Sequence, residues 1–305
     1  MEKLIMGLNT EQRKSRRWGI FFKSLTFIYL FAALFLFIPG DWFPKEVSGS
    51  QQHTALVEIN GVIAADEDAN ADTIVTALRE AFEDKGTAGV ILRINSPGGS
   101  PVQAGYVYDE IVRLKQLHPD TKLYSVISDI GASGGYYIAA AADEIYADKA
   151  SLVGSIGVIS SSFGFVDVLK KLGVERRVLT AGEHKAFLDP FTPLKASEKT
   201  FWEGVLNTTH KQFISQVKKG RGERLKEDPQ LFSGLIWTGE QALELGLIDG
   251  LGSAGYVARE IIGEKNIVDF TRNISPLEKM VERFSTSFAR TMSVELGLKG
   301  QLPRY

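Results

Sequence analysis

A serine flanked by small residues lies where a predicted strand meets a predicted helix. Ser133 is the third residue of GASGG, residues 131 to 135, between a strand predicted over Leu123 to Ile127 and an apolar helix predicted over Tyr136 to Ala142. Small neighbours let the backbone bend sharply, and the amide after the serine opens a helix, where it can donate to developing negative charge. The turn favours a serine nucleophile in acyl transfer, although small residues at a buried turn can also serve packing alone.

A second glycine-containing turn follows the preceding predicted strand. The sequence NSPGGS, residues 95 to 100, directly follows the strand predicted over Gly89 to Ile94. Its adjacent Gly98 and Gly99 can present backbone amides to an oxyanion or to an extended peptide, and a plain tight turn is the alternative. Because the carboxyl ends of parallel strands lie at one edge of a sheet, we expect this loop to lie near the serine turn.

A serine nucleophile needs a base, and the chain offers histidine or lysine. A serine–histidine arrangement would have to use His184 or His210, and neither lies in a recognisable histidine loop. A lysine can accept the proton where desolvation by apolar neighbours lowers its pKa. Lys185 fits this requirement best, because it lies in GEHKAFLDP, residues 182 to 190, after a strand predicted over Val174 to Leu179. On these grounds it is still one of several loop lysines.

The composition argues against several other chemistries. The 305 residues include no cysteine, which excludes disulfides, thiolate metal sites and a cysteine nucleophile. The four histidines have no metal-ligand spacing, so neither a metal nor a cofactor is expected. A formal net charge of -2 lacks the basic footprint of a nucleic-acid-binding domain, and a hydrophobic content of 44% is enough for a substantial core.

Short apolar runs alternate with helical patterns after residue 53. This order predicts an α/β fold with a mainly parallel sheet. Besides the strands named above, we predict strands over Ala55 to Ile63, Glu144 to Ala147 and Gly157 to Ser160. Further helices are predicted over Thr73 to Phe82, Val102 to Leu117, Val166 to Leu172 and Ser197 to about Lys219.

The first forty residues differ from the rest of the chain. Basic residues between positions 13 and 17 precede an apolar run from Ile20 to Ile38, and about 20 such residues cross the hydrocarbon core of a bilayer. The alternative is a cleaved secretory signal, but no small-residue cleavage site follows. We predict a cytoplasmic segment 1–19, a transmembrane helix 20–38, a tether 39–53, a catalytic domain 54–265 and an amphipathic C-terminal extension 266–305.

Four sequence strings resemble one protease family. NSPGGS, GASGGYYIAAAADEIYA, GSIGVI and AGEHKAF occur in the order found in the signal peptide peptidase A family, also called protease IV, in its short single-domain form. The resemblance extends from about Thr54 to Gly263. It implies repeated ββα units of the Clp protease and crotonase type, a homo-oligomeric ring, and an anchor in the inner membrane with the catalytic domain in the periplasm.

The resemblance also implies roles for individual residues. The family's nucleophile falls on Ser133, its lysine base on Lys185, and the serine that orients this lysine on Ser155. The oxyanion donors fall on the amide of Gly134 and one amide of the Gly98–Gly99 pair, with the second glycine favoured. Because a neighbouring subunit can complete sites in such rings, Lys185 can serve the serine of another chain. The implied substrates are signal peptides and other apolar peptides, cleaved without a metal or cofactor.

Other functions remain open from the sequence. A related Ser-Lys protease would be dedicated to one membrane-protein partner, and an inactive homologue would act as a membrane-tethered scaffold. Retention of Ser133, Ser155 and Lys185 together argues against the scaffold. An acyl-CoA enzyme of the crotonase type is disfavoured by an exported domain, and an α/β-hydrolase esterase would need a histidine opposite Ser133.

Overall fold

The structure is a computed structural model of the chain in which residues 16–31 and 51–272 are described. Residues 16–31 form an exposed α-helix, α1, which includes the first part of the predicted transmembrane run. In these two stretches, no helix combines the length and the hydropathy needed to cross a membrane. Residues 32–38 of the predicted span, and the helix predicted after residue 272, lie outside the described residues. A separate compact unit extends from Ser50 to Ile274.

The unit from Ser50 to Ile274 alternates strands and helices. Its strands are β1 (His53–Asn60), β2 (Thr87–Ser96), β3 (Leu123–Ala132), β4 (Glu144–Ala147), β5 (Leu152–Gly154), β6 (Ile236–Thr238), β7 (Gly250–Leu251) and β8 (Ile267–Asp269). Its helices are α2 (Ala71–Glu83), α3 (Pro101–Leu117), α4 (Gly134–Ala139), α5 (Val166–Lys171), α6 (Ala196–Arg221), α7 (Gly239–Glu244) and α8 (Ala254–Tyr256). A 3₁₀ turn over Gly222–Arg224 follows α6, and a π-helical stretch over Val257–Ile262 continues α8.

The strands form one mainly parallel sheet, which confirms the predicted α/β class. The order along the sheet is β6-β5-β3-β2-β1-β8, and every pairing between these described strands is parallel except β5 with β6. Strand β3 has two neighbours on one side: Tyr124–Ile127 pairs with β4, and Ile130–Ala132 pairs with β5. The end of β3 is therefore held between the ends of β2 and β5.

Local signals explain why the helices near the predicted site begin where they do. The side chain of Asn70 accepts a hydrogen bond from the Thr73 amide at the start of α2. Ser100 does the same for the Gln103 amide at the start of α3, and Pro101 occupies the first turn, where a missing N–H costs nothing. The loop that contains Gly98 and Gly99 is therefore held between the end of β2 at residue 96 and the start of α3 at residue 101.

Two predicted strands are wrong. The strand predicted over Gly157 to Ser160 is absent, and a short strand lies earlier, at Leu152–Gly154. The strand predicted over Val174 to Leu179 is also absent, and the Leu179 side chain is 99% exposed. The apolar residues in both segments resemble a strand pattern, but within the described chain they have no neighbouring strand to pair with. A strand needs such a partner for its backbone hydrogen bonds.

A buried arginine fastens the end of α6 to the sheet. Arg221 is 1% exposed, and its guanidinium donates two hydrogen bonds to the Asp249 carboxylate, of 2.6 and 2.9 Å, and two to the Gly246 carbonyl, of 3.0 and 2.9 Å. Asp249 also accepts from the amide of Ile145, at the second position of β4. Burial alone would raise the pKa of Asp249, but the hydrogen bonds and charge of Arg221 lower it below its usual range. The carboxylate therefore stays charged, and α6 has a fixed C-terminal end.

We expect Arg221→Met to lower the free energy of unfolding by about 3 kcal/mol, because the partly buried Asp249 carboxylate loses two hydrogen bonds and keeps only the more exposed Arg224 as a charged partner. Urea denaturation at neutral pH measures this change. The matched control is Arg259→Met, because Arg259 is 59% exposed and pairs with its neighbour Glu260 on the surface. A loss for Arg221→Met no larger than that of the control would contradict the structural role of this pair.

Candidate active site

Ser133 lies at the sharp turn between β3 and α4. Its φ of 50° and ψ of -120° place a non-glycine residue in a strained region, which costs about 1–3 kcal/mol. The Ser133 amide donates to the Gly154 carbonyl (2.8 Å), and the Ser133 carbonyl accepts from the Tyr137 amide (2.8 Å). These bonds hold the turn, and the side chain is half-buried at its tip. The arrangement is the strand–turn–helix geometry that exposes a serine nucleophile.

The Gly98–Gly99 loop is held against Ile63. The Ile63 amide donates to the Gly98 carbonyl (2.9 Å), and the Ser100 amide donates to the Ile63 carbonyl (2.7 Å). In a parallel pairing of this kind, the amide of the residue between them, Gly99, faces away from Ile63. A Cβ built on Gly99 would lie 2.1 Å from the Ile63 carbonyl oxygen, so only glycine fits at this position.

The free face of this loop lies beside the serine turn. A Cβ built on Gly134 would lie 3.3 Å from the Gly99 amide nitrogen, and one built on Gly98 would lie 2.7 Å from the Gly134 amide nitrogen. Gly134 is the first residue of α4, so its amide has no acceptor within the helix. Neither the Gly99 nor the Gly134 amide donates to another of the described residues. Two adjacent free amides next to a serine hydroxyl can stabilise the oxyanion formed in acyl transfer.

Ser155 lies at a second strained turn, directly beside the first. Its φ is 51°, and its amide donates to the Leu235 carbonyl (2.8 Å), while its carbonyl accepts from the Gly157 amide (2.9 Å). The preceding residue, Gly154, accepts the hydrogen bond from the Ser133 amide. The structure therefore brings together Ser133 and the Gly98–Gly99 loop, as predicted from their positions at strand ends, and it also places beside them Ser155, which only the resemblance singled out.

A cavity of about 160 Å³ opens next to Ser133. Its lining comprises Gly99, Pro101, Ser133, Gly134, Tyr137, Gly157, Val158, Ile159, Thr209, Gln212 and Phe213. Burial raises the pKa of the Tyr137 phenol, so this part of the wall is uncharged at neutral pH. The lining combines apolar side chains and backbone with the polar side chains of Ser133, Thr209 and Gln212, and the cavity can hold one side chain of a bound peptide.

Most residues of this cavity wall are not predicted from the sequence. Tyr137 could have been found, because it follows Ser133 by four residues and so lies one helical turn further along the same face. Thr209, Gln212 and Phe213 lie on α6, far away in the chain, and no local pattern connects them with Ser133.

Lys185 is not brought to Ser133 within the chain. It lies in an irregular turn, its side chain is exposed, and it does not line the cavity. Within residues 51–272, no hydrogen bond or ion pair involves its side chain. The prediction that apolar neighbours desolvate this amine is therefore wrong for the isolated chain. The neighbouring apolar side chains turn towards α6 and leave the lysine in solvent.

The turn that carries Lys185 is nevertheless anchored. Phe187 packs against Trp202, with ring centroids 5.9 Å apart, and the Leu188 amide donates to the Glu198 carboxylate (3.3 Å). Both contacts use the first two turns of α6. The nearest cavity-wall residue on the same helix, Thr209, follows Trp202 by seven residues, or about 10 Å along its axis. The turn and the cavity therefore lie at different levels of α6.

Neither histidine candidate presents a ring nitrogen to Ser133. The His184 side chain is 75% exposed beside Glu183, and it does not line the cavity. The Nε2 atom of His210 is hydrogen-bonded to the Ile156 carbonyl oxygen, 3.0 Å away. In the part of the chain that the structure describes, no group of histidine and acidic side chains is arranged to hold a metal ion.

The chain is similar to proteins with two kinds of name. A protein of Brucella abortus named Na(+)/H(+) antiporter NhaA is 44% identical over 227 residues, which are 73% of this chain and 31% of that protein. A Brucella melitensis protein of the same name matches equally well, so the chain spans about a third of the length of these relatives. A protein of Enterococcus faecium, provisionally named as a signal peptide peptidase SppA, is 33% identical over 74% of this chain and 67% of its own length. A provisionally named protease of Synechocystis is 31% identical over 84% of this chain and 91% of its own length.

The family comparison covers the central part of the site. Residues 115–268 match Peptidase family S49, and this range includes Ser133, Ser155 and Lys185. The match extends over half of the chain, and the resemblance found in the sequence is thereby confirmed at the level of the family. With the strained serine and two free amides at the expected strand ends, the chain belongs to peptidase family S49.

Proposed function

We propose that this chain is a membrane-anchored serine endopeptidase that uses Ser133 and Lys185 to degrade cleaved signal peptides and other apolar peptides at the membrane. The observation that carries the proposal is the geometry at Ser133, a half-buried side chain that lines the cavity at a strained turn beside the free amides of Gly99 and Gly134. Membership of peptidase family S49 supports the reaction class.

The reaction follows from these groups. The neutral amine of Lys185 takes the proton of the Ser133 hydroxyl as its oxygen attacks the peptide carbonyl. The amides of Gly99 and Gly134 bind the resulting oxyanion. The tetrahedral intermediate collapses, the C–N bond breaks, and the lysine returns the proton to the leaving amine. The same lysine then activates a water molecule, which attacks the acyl-enzyme and releases the peptide acid and Ser133.

The lysine comes from a neighbouring chain in a homo-oligomeric ring. Three features support this part of the proposal. Lys185 is exposed, and its side chain has no partner among the described residues. The residues of α6 that hold its turn also lie at a different level of the helix from those that line the cavity. In the ring, Ser155 beside Ser133 orients the incoming amine. Burial between two chains would also supply the desolvation that a lysine base needs.

Exposed apolar side chains on both sides of Lys185 in the sequence offer a surface for this neighbour. They concentrate between residues 159 and 201, and large exposed apolar areas of this kind mark interaction sites in soluble domains. The most exposed are Ile159 (87%), Phe163 (80%), Leu172 (69%), Leu179 (99%), Leu194 (62%) and Phe201 (66%). A second copy of the chain would cover them.

The location and fold type form part of the same proposal. The apolar run Ile20–Ile38 anchors the chain in the inner membrane, its basic N-terminus is cytoplasmic, and the domain is periplasmic. The fold is of the Clp protease and crotonase type, an assignment supported by the mainly parallel sheet and by the sharing of β3 between β4 and β5. The Enterococcus relative, which carries a signal peptide peptidase name, supports the substrate class.

A second candidate is a Ser-Lys protease dedicated to one membrane-protein partner. It is supported by the Brucella relatives, in which the similar segment is about a third of a protein named as a sodium/proton antiporter. The inactive scaffold has less support, because it gives no reason for two free amides beside Ser133. The esterase has less support as well, because His184 and His210 are directed elsewhere.

The dyad is tested by cleavage of a synthetic signal peptide by the full-length chain in detergent. We expect Ser133→Ala and Lys185→Ala each to lower kcat by about a thousandfold or more, because the nucleophile and the base act together and neither is effective without the other. His184→Ala is the control, and it should retain activity because this side chain is exposed and outside the cavity. Full activity in Lys185→Ala, or its loss in His184→Ala, would reject the proposed base.

Completion of the site by a second chain has its own test. Ser133→Ala and Lys185→Ala chains, each inactive alone, are co-expressed with different tags and purified as mixed oligomers. If a ring combines the serine of one chain with the lysine of the next, about a quarter of the sites in a random equal mixture recover both groups. Mixed oligomers without any activity would place both catalytic groups in the same chain.

The oxyanion site is tested at Gly98. A Cβ there would lie 2.7 Å from both the Gly134 nitrogen and the Ser133 Cβ, and the φ of 100° disfavours any side chain. We expect Gly98→Ala to lower kcat by about 10²–10³-fold, the loss seen when one oxyanion donor is removed. The control is Gly105→Ala in α3, where a Cβ meets no atom within 4 Å. A folded Gly98→Ala chain with normal kcat would contradict this assignment.

A further inference from the structure

One side chain of α6 reaches the turn that carries Ser155. His210 is half-buried, and its Nε2 lies 3.0 Å from the carbonyl oxygen of Ile156, the residue that follows Ser155. A carbonyl oxygen only accepts, so this ring nitrogen must carry the hydrogen. The hydrogen bond is therefore available both to the neutral ring with hydrogen on Nε2 and to the protonated ring.

The turn needs such a hydrogen bond because it is strained. A φ of 51° at Ser155, a residue with a side chain, persists only where the surroundings enforce it. Two backbone hydrogen bonds hold the turn: the Ser155 amide donates to the Leu235 carbonyl, and the Ser155 carbonyl accepts from the Gly157 amide. The bond from His210 holds it from α6, and without this bond the Ile156 carbonyl would have no hydrogen-bond donor among the described residues.

The same part of α6 forms the cavity wall. Thr209 and Phe213, which flank His210 along the helix, line the cavity, and so do Gly157 and Ile159, which follow Ile156. His210 itself does not line the cavity. Its contact is therefore with the backbone that supports the site, and it has no direct access to a bound peptide.

We infer that His210 is a positioning residue of the active site: by donating to the Ile156 carbonyl, it fixes the direction of the Ser155 hydroxyl towards the catalytic lysine. This inference rests on the proposed peptidase function. It predicts that kcat, which depends on the orientation of the lysine, is sensitive to the hydrogen bond, while KM, which depends on the cavity, is much less so.

The test compares three substitutions at His210 in the full-length chain. His210→Leu has similar bulk but no donor. In His210→Gln the amide nitrogen can occupy the position of Nε2 and donate, whereas the shorter side chain of His210→Asn holds its amide nitrogen too far from the carbonyl. The control is Thr208→Val on the same helix, where the exposed hydroxyl only donates back to the Gly204 carbonyl (2.9 Å).

We expect His210→Leu and His210→Asn to lower kcat for an apolar peptide by about 10- to 100-fold, with little change in KM, because a small displacement of a positioned group has effects of this size. His210→Gln should recover most of the lost kcat, and Thr208→Val should behave like the unmodified chain. Equal losses in the Gln and Leu variants, unchanged kcat in His210→Leu, or an effect on KM alone would each overturn the inference.

A second measurement does not depend on turnover. Amide hydrogen exchange at Gly157, whose N–H closes the Ser155 turn, should become faster in the Leu and Asn variants and stay slow in His210→Gln. If the unmodified chain shows no Ser133-dependent cleavage, the proposed function fails while exchange still reports on the turn. Unchanged exchange in both variants that lack the donor would overturn the inference by itself. If His210→Leu does not fold, His210→Asn and His210→Gln provide the same comparison.

Discussion

The hydrogen bond from the Ser133 amide to the Gly154 carbonyl, 2.8 Å long, is the contact on which the site depends. It joins the end of β3 to the end of β5 and helps to hold Ser133 at a positive φ. The Ser133 amide is therefore bonded to β5, and the next amide, that of Gly134 at the start of α4, is the first one left free beside the site. Ser155 directly follows Gly154, which accepts this bond. The residues proposed as nucleophile, oxyanion donor and lysine-orienting serine thus share one backbone junction.

Strain and glycine have complementary roles at this junction. Ser133 and Ser155 have backbone conformations that residues with a Cβ rarely adopt, and surrounding hydrogen bonds enforce them. Gly98 and Gly99 lack side chains because neighbouring backbone would collide with any Cβ. The result is a close approach of two backbone segments that leaves two amides free. Such a preorganised pair needs no rearrangement when negative charge develops on a substrate oxygen.

Helix α6 connects the parts of the molecule that the chemistry would combine. Its first turns anchor the Lys185 turn, its middle forms a wall of the cavity and contacts the Ser155 turn, and its end is fixed by Arg221 and Asp249. Because the lysine turn and the cavity are separated along this helix, one chain presents a lysine at one level and a serine at another. This separation is the physical reason for proposing that the site is shared between chains.

The sequence by itself determined the parts of the protein that depend on local signals. Apolar runs such as that of β2 and helical patterns such as that of α3 predicted most of the helices and strands. The rule that parallel strands end at one edge predicted the meeting of Gly98–Gly99 with Ser133. Only the tertiary structure decided the rest. The segments 157–160 and 174–179 have strand-like composition, but a strand also requires a partner, which is a non-local property. In the same way, the position of α6 decides that Lys185 is exposed and that Thr209 and Phe213 line the cavity. No local sequence pattern around these residues predicts that position.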